Sequence, residues 1–238
     1  MSDTLYENFQ PVTTNTHSAV WGSDRWYGHS FTPVTSHTLT SIKLVVVRGK
    51  HVSEDVAGLP GTVTVVLKAT NGSGEPTGAD LTSGTTDGDT LTCFDPTWDV
   101  YPGDASCLRE ITVTPVALTA GTQYVFILKA LSGDIDNHLH PRVVENDDAT
   151  YSGGCNVRTT DAGASWDVDT APFTETDNHF FEYGLPMLAI TTQTCEQVIG
   201  TTATGRGTIV SGSGITQHGH CWDTSTNPTT ALSTKTTL

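Results

Sequence analysis

Histidines, carboxylates and aromatic rings are the side chains of this sequence whose spacing suggests chemistry. "HLH" sets His138 and His140 two residues apart, and "HGH" repeats that spacing at His218 and His220. Alternate side chains of a strand share a face, so each pair can offer two imidazoles to Zn²⁺ or Cu²⁺. Neither pair has an evident third ligand. Cys221 follows His220 directly, and its side chain is expected on the opposite side. "SGDIDNH" presents Asp134, Asp136 and Asn137 as hard oxygen ligands of the kind calcium takes, with Asp147 and Asp148 in a later loop. The full EF-hand spacing is absent, and Asp and Asn serve equally well as turn formers. Gly28-His29-Ser30 is half of a G-x-S-x-G nucleophile elbow, but residue 32 is Thr. Phe94, Trp98 and Tyr101 sit in a stretch full of Asp, Pro and Gly, where little can be buried. They are expected to make contacts, with a glycan or with a protein. A glycosidase would need two carboxylates at a set separation, and linear spacing selects no such pair.

The elements that must position these residues are strands. "LTSIKLVVVRG" puts Ile42, Leu44 and Val46 on one face, and "GTVTVVLKAT" alternates Thr62, Thr64 and Lys68 against Val63, Val65 and Leu67. "REITVTPV" turns Ile111 and Val113 inward, "TQYVFILKAL" aligns Tyr124, Phe126 and Leu128, and "NHFFEYG" closes the series near Gly184. Period-2 alternation between Gly- and Pro-rich turns predicts antiparallel sheet with one buried face. Thr and Val, both branched at Cβ, suit such strands, and no helical stripe of apolar residues is present. The expected fold is all-β, a sandwich of antiparallel sheets. Composition shifts to a Thr/Gly-rich run after Gly184, and Leu185-Pro186 reads as a linker. The expected domains are 1–186 and 187–238.

"TTDAGASW", from Thr159 to Trp166, has the spacing Thr-x-Asp-x-Gly-x-Ser-Trp. It resembles the Asp-box, a hairpin motif best known from sialidases and other propeller glycosidases. In that family the box repeats around the propeller and stands away from the catalytic centre. Here one copy is present, and the six arginines form no cluster like the sialidase triad. Asp161 is therefore expected to accept backbone N–H bonds across a tight turn, Gly163 to supply a positive φ, and Trp166 to pack beneath. That is a structural staple and no hydrolytic site.

Two longer resemblances cover most of the chain. "WGSDRWYGHSFTP", "SIKLVVVRG", "GEPTGADLTSGTT", "LTAGTQYVFILKA", "YSGG" and "FFEYG" together resemble a jelly-roll-like β-sandwich module of phage and environmental virion and surface proteins. "ITTQT", "TTATGRGTIV" and "ITQHGHCWDTSTNPTT" resemble the start of a fibronectin-III or immunoglobulin-like repeat. Such repeats use about seven strands over about 100 residues, so residues 187–238 would supply a partial segment. The resemblance implies a non-enzymatic virion-associated structural or adhesion protein, a capsid decoration or a tail or fibre component. Its partners would be other subunits in a homo-oligomer, and its place a virion surface or a bacterial cell surface. A carbohydrate-binding module of a surface adhesin is the alternative, with a glycan as ligand.

Charge and cysteines narrow the classes. The formal net charge is −15, which repels a phosphate backbone and an anionic membrane surface. No apolar run of membrane-spanning length occurs. "MSDTLYENFQ" has neither a basic nor an apolar signal region, which predicts a chain without a secretory leader. Cys93 and Cys107 bracket a turn-rich loop whose closure by a disulfide would contribute roughly 3 kcal/mol. Cys195 and Cys221 are a second candidate pair, leaving Cys155 as a thiol. No cofactor is required; a structural calcium ion is the one the oxygen set would suit.

Overall fold

A computed structural model of the chain describes residues 3–11, 16–17, 19–49, 58–92, 104–145, 150–169, 176–187, 189–199 and 202–211. It is all-β and antiparallel. The chain divides into a larger unit, Ser2–Gly184, and a second, Leu185–Leu238.

The larger unit is a sandwich of two sheets. One is built around β4 (His37–Gly49), which pairs with β7 (Leu108–Leu118) through His37–Val45 and with β9 (His138–Glu145) through Val46–Gly49. β2 (Thr16–His17) adds to β9. The other sheet contains β3 (Trp26–Phe31), β8 (Tyr124–Lys129), β5 (Thr62–Thr70) and β6 (Pro76–Asp87), paired in that order. The arrays β2-β9-β4-β7 and β3-β8-β5-β6 are filled by a chain that crosses between sheets at nearly every connection. That is the double Greek-key path of a jelly roll.

Five further strands elaborate this frame. β10 (Asn156–Thr159) extends the second sheet beyond β3, and β11 (Asp167–Val168) pairs back on β10. In the first sheet β9 leaves β4 after Pro141, and β12 (Thr176–Asn178) and β13 (Phe180–Pro186) run into the fork. His179 stands at the branch: its N–H donates to the Arg142 carbonyl at 3.1 Å, and its carbonyl accepts from Val45 N at 3.4 Å. β1 (Thr4–Phe9) completes the sheet on the far side of β13.

Alternation along the strands explains the core. Ile42, Leu44 and Val46 of β4 and Val63, Val65 and Leu67 of β5 all face inward and are buried. They meet Ile111 and Val113 of β7 and Tyr124, Phe126 and Leu128 of β8 in one cluster. Each large apolar side chain so buried stabilises the fold by roughly 1.5–3 kcal/mol. Phe180 joins the layers, with ring centroids 5.4 Å from Phe126 and 6.1 Å from Phe31. Gly28 is a point of close approach in the second sheet: a Cβ there would lie 2.2 Å from the Phe126 carbonyl oxygen. Helix among the described residues is one α turn, Asp104–Cys107, and one 3₁₀ turn, Gly88–Thr90. Cys107 of the α turn packs on Val45 and Val47, on the outer face of β4.

The second unit contributes an antiparallel ribbon, β14 (Ala189–Ile199) and β15 (Thr202–Ser211). Its register shifts between Gln193 and Glu196 and again before Ile199.

Candidate functional site

The chemistry-bearing side chains of the sandwich fall into three groups. The first is the hairpin between β10 and β11. Thr159 Oγ1 donates to Asp161 Oδ1 at 2.6 Å and accepts from Gly163 N at 3.0 Å. Ser165 N donates to Asp161 Oδ1 at 3.0 Å, and the Ser165 hydroxyl donates to Asp161 Oδ2. With the Ser165 hydroxyl, the Thr159 hydroxyl and backbone N–H groups all donating to it, Asp161 is held down to a pKa of about 2. Ala162 and Gly163 take φ values of 61° and 84°, which closes the turn. A Cβ on Gly163 would lie 3.1 Å from the Trp26 ring and 3.2 Å from the Trp166 ring. Trp26 and Trp166, with Val168, cover the apolar outer face of the second sheet at Val66, Val125, Ile127 and Val157. The Thr159, Asp161 and Ser165 side chains bond to one another within the turn, and the Ala162 N–H ties the turn to the Asp24 carbonyl at 3.1 Å. Asp161, Gly163 and Trp166 thus occupy the positions of a staple.

The second is the turn Asp134–Asn137, which carries the three residues expected as oxygen ligands. Asp134 Oδ1 accepts from Asp136 N at 2.8 Å and from Asn137 Nδ2 at 2.9 Å. Asn137 Oδ1 accepts from Leu59 N at 2.9 Å, tying the turn to the segment before β5. The Asp136 N–H and the Asn137 amide hold the Asp134 carboxyl below its ordinary range. Among the described residues no group of three His, Cys, Asp or Glu side chains is placed to hold a metal ion.

The third group, buried histidines spread from one end of β4 to the other, was not legible in the sequence. Among the described residues, five histidines of the sandwich are buried: His29, His37, His138, His140 and His179. His29 Nε2 lies 2.9 Å from Asp177 Oδ1, a separation of 148 residues along the chain. The other Asp177 oxygen accepts from Tyr151 N at 2.8 Å. His37 Nε2 lies 2.6 Å from Glu182 Oε1, and His37 Nδ1 donates to the Thr35 carbonyl at 2.8 Å. Tyr6 of β1 stacks on the His37 ring at 3.8 Å with 7° between planes. Burial works against a charged His37, but the hydrogen bonds to Glu182 and Thr35 and the nearby Glu182 and Glu7 carboxylates outweigh it, so its pKa is raised. Burial also raises Glu182, against the pull of His37.

His138 and His140 do converge, as their spacing predicts: their Nε2 atoms are 2.8 Å apart, as a hydrogen bond between rings. His140 fits over Gly49, where a Cβ would lie 2.3 Å from the imidazole, and Trp21 packs edge-on to His138 at 5.6 Å. His179 is held down to about 4 by burial and by the Arg142 cation.

Of the remaining expected residues, Cys107 is buried, while its expected partner Cys93 lies outside the described residues, as do Phe94, Trp98, Tyr101, His218, His220 and Cys221. Asp147 and Asp148 also lie outside them. Cys195 is on β14. Cys155 is a half-buried thiol, its N–H bonded to Ser30 Oγ at 2.9 Å, and burial pushes its pKa up. Ser30 is fully buried in β3, and its hydroxyl donates to the Cys155 carbonyl at 3.1 Å, so it serves a backbone junction. No helix among the described residues is long and apolar enough to cross a membrane. No protein-family model matches the chain, and no curated protein proves similar to it. The fold assignment therefore rests on the strand topology itself.

Proposed function

We propose that this is a non-enzymatic structural and adhesion protein of a particle surface, a capsid decoration or a tail or fibre component of a virion. It acts through its outer surfaces and through β pairing between subunits. The observation that carries this reading is the β14–β15 ribbon. Among the described residues it forms a two-stranded sheet of its own, 11 and 10 residues long. A two-stranded ribbon is marginal alone in water, and unpaired strand edges are templates for another chain. A ribbon of that length gains most when a neighbouring copy completes the sheet, the way an immunoglobulin-like segment is completed.

The sandwich supports the same reading. Its best-formed polar constellations, at Asp161, Asp134, His29–Asp177 and His37–Glu182, bind the chain to itself. Groups held in this way brace a scaffold. The charge of −15 keeps nucleic acid out of the list of partners.

Multi-angle light scattering of the purified chain tests the proposal. The expected species is a defined oligomer that loses order when β14 is broken by Gln193→Pro. A strictly monomeric 25.3 kDa species with a protected ribbon would overturn it.

A further inference from the structure

β1 is the last strand of its sheet and pairs only with β13 among the described residues. Its register slips between Leu5 and Glu7, so its backbone ladder is interrupted. What holds it lies beneath. The Tyr6 ring lies flat on His37, and Glu7 is the cross-strand partner of Glu182. Glu7 Oε1 accepts from Val34 N at 2.8 Å, and Thr40 Oγ1 donates to Asp3 Oδ2 at 2.6 Å. His37 and Glu182 are wholly enclosed, with side-chain exposures of 0% and 1%.

The protons of this pair are fixed by geometry. His37 Nδ1 faces a carbonyl, which can only accept, so Nδ1 carries a hydrogen. A single further proton then lies between Nε2 and Glu182 Oε1. While it is there, the contact is a short charge-assisted hydrogen bond. When it leaves, a lone pair faces a buried carboxylate at 2.6 Å. The Glu7 backbone N–H of β1 also donates toward the Glu182 carboxylate, but one such bond does not offset the loss of the charge-assisted one. Burying an unsatisfied carboxylate is costly, and relief requires water. The covering element nearest that carboxylate is β1, through Tyr6 and Glu7.

We propose that β1 is a proton-gated strand: the proton shared by His37 and Glu182 clamps it onto β13, and loss of that proton lets it lift and bares the β13 edge. The groups facing the pair agree on the sign. From β1 come the Glu7 carboxylate, with Asp3 beyond it, and the neutral Tyr6 ring. From the loop before β10 comes the Tyr151 hydroxyl, 3.4 Å from Glu7 Oε2, with the His29–Asp177 pair behind it. Further along β13, Tyr183 is covered by Lys43, whose charge is answered by Glu110. Around the pair itself carboxylates predominate, so the shared proton is the local countercharge. The gate is independent of which particle the protein serves.

Amide hydrogen exchange of the whole chain at pH 6 and pH 9, corrected for intrinsic rates, tests this. β8 is the internal reference. Protection of Thr4–Phe9 relative to Tyr124–Lys129 should fall at least tenfold at pH 9. In Glu182→Gln the side-chain amide can donate to neutral His37, so β1 should stay equally protected at both pH values. A constant ratio in the wild type overturns the proposal, as does a pH-dependent loss that persists in Glu182→Gln. Should that variant not fold, the wild-type ratio decides alone.

Discussion

His37 Nε2 and Glu182 Oε1 meet at 2.6 Å across 145 residues of sequence, and neither side chain reaches solvent. The pair joins β4 to β13 inside the sheet that also carries β1. Removing one partner of such a pair leaves an uncompensated buried group, which costs about 3–5 kcal/mol. His37→Ala should therefore lower the free energy of unfolding by about that amount. Urea denaturation followed by tryptophan fluorescence measures it, and a loss under about 1 kcal/mol would mean the pair stabilises little.

Stability should peak near pH 6–7. His37 is raised above its ordinary 6.5, so the folded chain holds that proton more tightly than the unfolded one. Its contribution is complete below about 6.5 and is lost as pH rises through the raised value. Glu182, raised by burial above its ordinary 4.5, has the same sign in a lower window: its contribution is complete below about 4.5 and falls above it, which blunts the acid limb. His179 has the opposite sign: lowered to about 4, it contributes fully above 6.5 and the contribution is lost as pH falls toward 4. That acid loss amounts to about 3 kcal/mol. Thermal melts from pH 4 to 9 should trace a dome, and in His179→Gln the acid limb should flatten.

The Asp161 hairpin should open locally when its carboxylate is removed. Asp161 accepts from Thr159 and Ser165, and these bonds place Trp166 against Trp26. In Asp161→Ala the tryptophan emission should shift to the red while the cooperative unfolding transition persists. Asp161→Asn keeps an oxygen for Ser165 N but loses the second acceptor for the Ser165 hydroxyl, so its shift should be smaller. An Asp161→Ala spectrum like that of the wild type would show that the turn does not depend on this side chain.

Phe180 and Gly28 test the core. Phe180 packs against Phe31, Phe126, His29 and Tyr151. Phe180→Ala should cost about 3–5 kcal/mol, read by chemical denaturation. Gly28→Ala puts a methyl 2.2 Å from a backbone oxygen in the middle of a sheet, where no side chain can yield. It should destabilise by more than about 3 kcal/mol or prevent folding. A well-folded Gly28→Ala protein would show that β3 and β8 can separate to admit a methyl group.

The sequence by itself determined the strands and which face of each is buried. Ile42, Val63, Ile111 and Phe126 declare their faces through period-2 alternation, because a pleated strand admits no other arrangement. It also determined the side-chain bonds of the Thr159–Trp166 turn, since Thr159, Asp161 and Ser165 lie within six residues of one another. The convergence of His138 and His140 follows from the same pleat. Only the tertiary structure decided that His29 meets Asp177 and that His37 meets Glu182. Those partners come from opposite ends of the sandwich path, brought together where β12 and β13 enter the fork between β9 and β4. Local pattern carries no signal for such a meeting, since the spacing between the residues is set by sheet order and not by backbone period. The chemistry of the titratable core was therefore a decision of topology, made when the last strands of the unit were laid beside the first.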